Sequence, residues 1–309
     1  MPLYLTEADV AGLITAAEAV PVLEECFRRM AAGATENVPR RRLSLDEGSF
    51  AVMSAVDREL GFAGVKAYTA VPGQATFAVL LFELESGELA AVLEADTAGQ
   101  RRTGAATGVA AKHLARRDAG TLGVIGCGWQ AESQVEAVRA AVPGIERVVA
   151  YCRTPERLQA FCARVGAEPA ESHAEAGEQD VVVTITTSRD PVLRGEWLRP
   201  GALVCAAGAN DPRKRELDNV AVERAAFVCC DSREDALLES GDLIEAVERG
   251  VLDWLEVHEL QEVVAGEVAG RQADDDVVVF KSNGLAIWDV AIAAELVRRA
   301  RERGAGTMV

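Results

Sequence analysis

The stretch Thr121-Leu-Gly-Val-Ile-Gly-Cys-Gly-Trp-Gln130 constrains the fold of this chain more than any other. A short apolar run, Thr121–Ile125, passes directly into Gly126-Cys127-Gly128, and a helical stretch from Ala131 to Val142 begins at once. Strand, glycine turn and helix in that order form the βα unit that cradles a phosphate. Gly126 permits the tight turn and Gly128 lets a pyrophosphate approach the backbone. The helix amino terminus adds unpaired N–H groups and positive dipole. The third glycine of the usual pattern is missing, since Gln130-Ala131 occupy its place. The motif gains its weight from the run Arg147–Tyr151, which supplies the second strand that a βαβ unit requires. The expectation is a dinucleotide-binding unit.

The end of that second strand reads Tyr151-Cys152-Arg153-Thr154-Pro155-Glu156-Arg157. An acidic residue there would hydrogen-bond the ribose of NAD, whereas an arginine would pair with the 2′-phosphate of NADP. The acid is absent, and Arg153, Thr154 and Arg157 offer cationic and hydroxyl donors instead. NADP(H) is therefore favoured over NAD(H).

With 309 residues, 49% of them hydrophobic, the chain is long enough for two domains with sizeable cores. It carries no secretory apolar segment at its start and no apolar run long enough to span a bilayer. Its seven cysteines and three histidines show no zinc-site spacing, so no metal is expected. An odd number of thiols suits a reducing cytoplasm. The formal charge of −17 argues against nucleic acid as a partner.

Residues 16 to 32 read as a helix with Val20, Leu23, Phe27 and Met30 on one face, and with Pro21 placed to shift or kink it. Strand patterns follow at Arg41–Leu45, Phe50–Val56, Ala63–Tyr68, Thr76–Glu83 and Leu89–Glu94, as in a largely antiparallel sheet. Residues 97 to 116 read as an Ala/Gly-rich helix. From Thr121 the rhythm becomes strand–helix–strand, with further strands at Asp180–Thr184, Ala202–Ala206, Ala226–Cys230 and Asp276–Phe280. A last helix spans Gly284 to Arg301. The fold class expected is α/β: a Rossmann-type doubly wound parallel sheet plus a second, β-rich α+β domain. Residues 1–117, completed by 281–309, would form the substrate-binding and dimerisation domain, and 118–280 the dinucleotide domain. A crevice is expected between them.

Ligands of open α/β sheets sit beyond the carboxyl ends of strands. Asp231 directly follows the strand ending at Cys230, so its carboxylate is a candidate acid or base, or else a helix N-cap. Lys66 lies in a strand between apolar neighbours and could face solvent. Arg102 precedes Gly104-Ala-Ala106, where backbones can approach closely, and Arg40, Arg41 and Arg42 form a basic cluster. Guanidinium groups converging on a cleft would bind a small carboxylate bidentately.

Together these segments resemble the ornithine cyclodeaminase/mu-crystallin family, which also contains an alanine dehydrogenase and ketimine reductases. The resemblance is carried along nearly the whole chain by Arg102-Thr-Gly-Ala-Ala-Thr-Gly-Val-Ala-Ala-Lys-His-Leu-Ala115 and Gly123-Val-Ile-Gly-Cys-Gly-Trp-Gln130. Cys230-Asp-Ser232 with Glu239-Ser-Gly-Asp242, and Phe280-Lys-Ser-Asn-Gly-Leu-Ala-Ile-Trp-Asp289, complete it. It implies a Rossmann domain, a β-rich homodimerising domain and hydride transfer between a nicotinamide and an imine. Arg102 would take the substrate carboxylate, as would Arg40, with Arg41 its competitor. Lys66 resembles the active-site lysine and Asp231 the catalytic aspartate. Thr76 matches a substrate-contacting threonine. Thr103, Thr107, Trp129, Gln130, Thr186 and Gly208 would lie along the cofactor.

Two departures bear on the reaction. The cyclodeaminase branch has a Glu two residues before the methionine matching Met53, and here that place is Ala51. The loop after the lysine is short, with Gln74 following Pro72-Gly73. Both, with the Arg153 feature, favour an imine or ketimine reductase acting on a small carboxylate-bearing imine. The alternatives are a cyclodeaminase taking ornithine to proline, an alanine-type amino-acid dehydrogenase, and a non-catalytic small-molecule binding protein. The expected setting is a cytoplasmic homodimer.

Overall fold

The computed structural model describes residues 1–309, which divide into two compact units: Met1–Arg102 with Leu285–Val309, and Thr103–Gly284. The first is built on a seven-stranded sheet. Its strands are β1 (Leu3–Leu5), β2 (Thr35–Leu45), β3 (Gly48–Asp57), β4 (Phe62–Val71), β5 (Gln74–Glu83) and β6 (Leu89–Glu94), with the terminal strand Thr307–Met308 beside β1. From β2 to β6 each strand pairs antiparallel with the next. Short β1 adds to β6 in parallel, a pairing of distant segments that no local pattern announces.

Helices α1 (Glu7–Leu13) and α2 (Ala16–Ala31) start at capping boxes, Thr6 with Asp9 and Thr15 with Glu18. Each box satisfies two otherwise orphaned N–H groups. Pro21 does not interrupt α2, which runs from Ala16 through it to Ala31. Its apolar side carries Phe27 against Trp288 of the C-terminal helix Ala286–Arg303, ring centroids 5.5 Å apart. That helix packs on β2 to β5 and closes the core of this unit.

Strand β2 begins at Thr35 rather than near Arg41. Its register shifts between Val38 and Arg41, so Pro39 sits in a bulge, where a missing N–H costs the ladder nothing. The proline hides the first half of the strand from a sequence reading.

Helix α3 (Asp96–Leu114) carries the division between the units. The second unit holds eight parallel strands. They are β7 (Thr121–Ile125), β8 (Arg147–Tyr151), β9 (Glu168–Pro169), β10 (Val181–Thr184), β11 (Leu203–Ala206), β12 (Ala225–Cys230), β13 (Val257–Glu259) and β14 (Val277–Lys281). Their spatial order is β13-β12-β14-β11-β10-β7-β8-β9. The chain leaves β7 toward β8 and β9, then returns to β10 on the other side of β7. Strand order therefore reverses at the β7/β10 pair, which is where doubly wound sheets open a crevice for ligands. Helices α4 (Ala131–Ala141) and α5 (Pro155–Val165) follow β7 and β8. No helix is long and apolar enough to cross a membrane.

Candidate active site

Side-chain parity along the antiparallel ladder decides what meets in the strand-rich unit. Met53 pairs with Lys66, and Lys66 with Val79, so all three stand on one face of the sheet. Ala51 and Tyr68 share that face. Lys66, for which solvent exposure was one reading, is buried at 4% exposure. Its Nζ donates to Asp289 Oδ1 at 2.8 Å. Arg102 Nε donates to the same oxygen at 3.2 Å, and its guanidinium lies 5.7 Å from the Trp288 ring. The Phe77 ring stands 5.3 Å from Lys66 Nζ.

The bulge in β2 separates the three neighbouring arginines. Arg40 is buried and its Nε contacts Met53 Sδ at 3.3 Å, while Arg41 and Arg42 are exposed. Thr76 is exposed and pairs with Thr69, which puts it on the sheet face opposite Lys66. The structure thus assembles Arg40, Lys66 and Arg102 in one unit and leaves Thr76 apart from them.

Burial pushes the Lys66 amine down to about 8; Asp289 opposes that fall, while Arg102 and Arg40 reinforce it. Burial would by itself raise the Asp289 carboxyl, but Arg102 and Lys66 outweigh it and hold the group below its ordinary value. Cations thus outnumber the one carboxylate around Lys66, an environment that favours a further anion.

In the second unit Asp231 follows β12 and is fully buried. It is not the helix N-cap: that role falls to Ser232, whose hydroxyl accepts the Asp235 N–H. Asp231 Oδ2 accepts the N–H groups of Asn283 and Gly284, both at 2.7 Å, and the Ser282 hydroxyl at 3.1 Å. Oδ1 accepts the Ser232 N–H at 3.0 Å and Asn283 Nδ2 at 3.4 Å. Burial raises its pKa above the ordinary carboxylate value, and these donors only partly offset the rise.

The turn after β7 fits a dinucleotide. Gly126 has φ +112°, and a Cβ there would lie 2.3 Å from the Ile185 carbonyl oxygen. Only glycine satisfies both demands. A Cβ on Gly128 would meet nothing within 4 Å, so this side of the turn is open to a pyrophosphate. Gln130 stands at the N-cap of α4 and its side chain caps none of the first-turn amides, which suits anion binding there. Trp129 beside it is 52% exposed. Thr107 is buried in α3 and donates its hydroxyl to the Thr103 carbonyl at 3.4 Å. After β8, Arg153, Thr154 and Arg157 are exposed, with Thr154 at the N-cap of α5.

Thr186 and Gly208, on the loops after β10 and β11, are joined by a residue that sequence reading missed. Glu216 Oε1 accepts the Thr186 N–H at 2.7 Å and its hydroxyl at 2.8 Å. Oε2 accepts the N–H groups of Gly208 at 2.7 Å and Ala209 at 3.2 Å. A Cβ on Gly208 would lie 2.2 Å from Thr186 N, so this close approach demands glycine. Lys281 supports the same loop, donating to the Ala209 carbonyl at 2.6 Å and pairing with Asp242 at 3.0 Å. Glu216 lies in the charged stretch Arg213-Lys-Arg-Glu216, which reads as a solvated surface. Asp289 did leave a signal, as a lone acid in the otherwise apolar run from Leu285 to Ala294.

A glycine turn at the switch point of a parallel sheet, in a chain that also holds a strand-rich unit with buried cations, defines a two-domain, dehydrogenase-like α/β protein. The chain belongs to the ornithine cyclodeaminase/mu-crystallin family, whose model matches residues 2–304. It is 36% identical to the alanine dehydrogenase of Archaeoglobus fulgidus, covering 99% of this chain and 98% of that one. A Bacillus cereus Δ1-pyrroline-2-carboxylate reductase is 38% identical over 85% of each chain. The Thermococcus litoralis Δ1-pyrroline-2-carboxylate reductase, solved with NADH and L-proline, superposes with a TM-score of 0.94 at 33% identity, covering 99% of this chain and all of that one.

Proposed function

We propose that this chain is an NAD(P)H-dependent imine reductase that converts a small carboxylate-bearing imine to an amino acid. The observation that carries the reading is the buried pair Lys66 and Arg102 on the carboxylate of Asp289, with buried Arg40 adding its positive field at Lys66. Desolvated cations bind a carboxylate far more strongly than surface ones, because the effective dielectric is low. In this reading residues 1–117 with 281–309 take the substrate, and residues 118–280 take the dinucleotide.

When bound, a reduced nicotinamide supplies the hydride. Gly126, Gly128, Trp129 and Gln130 would hold the pyrophosphate, with Thr103, Thr107, Thr186 and Gly208 along the rest of the cofactor. Arg40 and Arg102 clamp the substrate carboxylate. Lys66 helps to hold it and polarises the reacting group. Asp231 exchanges a proton with the substrate nitrogen, so that imine, hydride and proton together give the amine. Its raised pKa keeps a proton available closer to neutrality than an ordinary carboxyl would.

Ala51 favours reduction over cyclodeamination. It stands on the Lys66 face of the sheet, where the cyclodeaminase branch would carry a second acid, and here offers only a methyl group. We further propose a preference for NADP(H), resting on Arg153, Thr154 and Arg157 at the end of β8. Homodimerisation through the strand-rich unit accords with the row Val38, Val65 and Leu80 on the sheet face opposite Lys66. A cytoplasmic setting accords with seven unpaired thiols.

The test is nicotinamide oxidation with NADPH and NADH against Δ1-pyrroline-2-carboxylate, Δ1-piperideine-2-carboxylate, and pyruvate with ammonia or methylamine. Turnover with NADPH is expected. Ammonia release from ornithine or lysine without net cofactor consumption would replace the reductase with a cyclodeaminase. Silence in both assays would favour a binding protein.

A further inference from the structure

Asp57 and Asp289, both buried in the strand-rich unit, are used differently. Asp57 spreads its partners over both oxygens: Arg29 Nε on Oδ2 and the Leu60 N–H on Oδ1, each at 2.8 Å. That is how a carboxylate is satisfied when its task is to tie elements together. Asp289 instead gathers Lys66 and Arg102 on Oδ1 alone, and its buried Oδ2 accepts no hydrogen bond. Converging two cations on one oxygen forces them side by side, against their mutual repulsion. An architectural role gives no reason for this arrangement, but a ligand carboxylate that needs both cations does.

We propose that Asp289 is a positioning residue that holds Lys66 charged and beside Arg102 as one binding unit for the substrate carboxylate. The proposal rests on the reductase reading for what is bound, but not for the charge state of Lys66. The charged groups facing Lys66 are Asp289 from the C-terminal helix, Arg102 from α3 and Arg40 from β2. Phe77 of β5 and Met53 of β3 supply its apolar walls. Asp289 is thus the anion among them. Without it, burial and two guanidinium groups all act in one direction, and the amine loses its proton.

Competitive acylation of Lys66 across pH, read by mass spectrometry, tests this without turnover. In the wild-type protein the midpoint is expected near 8. Asp289→Asn should lower it by about one pH unit or more. The basic limb of kcat/KM for the imine should move the same way, with KM up by roughly tenfold. An unmoved midpoint overturns the proposal. Asp289→Glu keeps the charge but displaces it, so it covers the case in which the Asn variant does not fold. Its midpoint should stay within about half a unit of wild type while KM rises, and an unchanged KM overturns the positioning role. Should the wild-type protein reduce no imine, the reductase reading fails, and the labelling midpoint still decides whether Asp289 sets the charge of Lys66.

Discussion

Each unit buries a lysine against an aspartate, and the two pairs work differently. In the parallel-sheet unit, Lys281 meets both Asp242 and the Ala209 carbonyl, while Glu216 nearby accepts four donors from two loops. In the strand-rich unit, Lys66 and Arg102 share one oxygen of Asp289, with Arg40 adding a further positive field. In the first, Glu216 takes four donors and ties the loops after β10 and β11 together, while Asp242 Oδ2 meets Lys281 only as an ion pair. The second carries an excess of positive charge, which a substrate carboxylate completes in the proposed reading. Low dielectric makes both arrangements consequential: a satisfied buried network rigidifies, and an unbalanced one selects its ligand.

Substitutions should separate the two. The largest effect is expected at Asp231, where Asn keeps the shape but cannot exchange the proton. Steady-state kinetics of Asp231→Asn should show kcat reduced by about 10²–10⁴, and full turnover would remove Asp231 from the chemistry. Arg102→Ala should raise KM for the imine by about 10², since a desolvated carboxylate contact is lost, and should lower the melting temperature less than Glu216→Gln, because Lys66 still pairs with Asp289. Glu216→Gln should do the opposite. Its amide would confront N–H groups that now point at a carboxylate oxygen, costing about 3 kcal/mol of stability and weakening coenzyme binding more than imine binding. Calorimetry alongside KM values for both substrates tells these outcomes apart. If Arg102→Ala lowered the melting temperature as much as Glu216→Gln, the contrast between the networks would collapse. A smaller effect is expected at Arg153. Its change to Ala should raise KM for NADPH by about tenfold and leave NADH untouched, and equal effects would refute the phosphate assignment.

Acid provides the mildest test. Asp289 has a depressed carboxyl in the folded protein, so the unfolded chain binds the proton first. Its stabilisation is present above the ordinary carboxylate range and disappears as pH falls through the folded value. Glu216 is raised, chiefly by burial, and its linkage has the opposite sign. The melting-temperature gap between wild type and Asp289→Asn should therefore close toward acid, and that for Glu216→Gln should not.

The β7 turn and the parallel strands could be read in advance because their signals are local. Each is an uninterrupted apolar run bounded by glycine or polar residues, and glycine marks the places where backbone must pass close to backbone. The first half of β2 could not, because Pro39 looks like a stop until a bulge absorbs it. Asp231 was legible as a carboxylate beyond a strand end, but its two offered roles were not separable until Ser232 took the cap.

Residue types and spacing in the sequence alone determined the two-part organisation, the glycine turn after β7 and the cations from which the proposed site is drawn. Tertiary structure decided which of them act together. Lys66 and Asp289 lie 223 positions apart, and a one-residue slip in β4 would turn Lys66 to the other face of the sheet. Arg40, within the bulge, turns in against Met53 while Arg41 and Arg42 stay exposed. Local propensity can shape a strand or helix, but the choice of partner depends on ladder register and helix docking, which are collective properties of the folded chain.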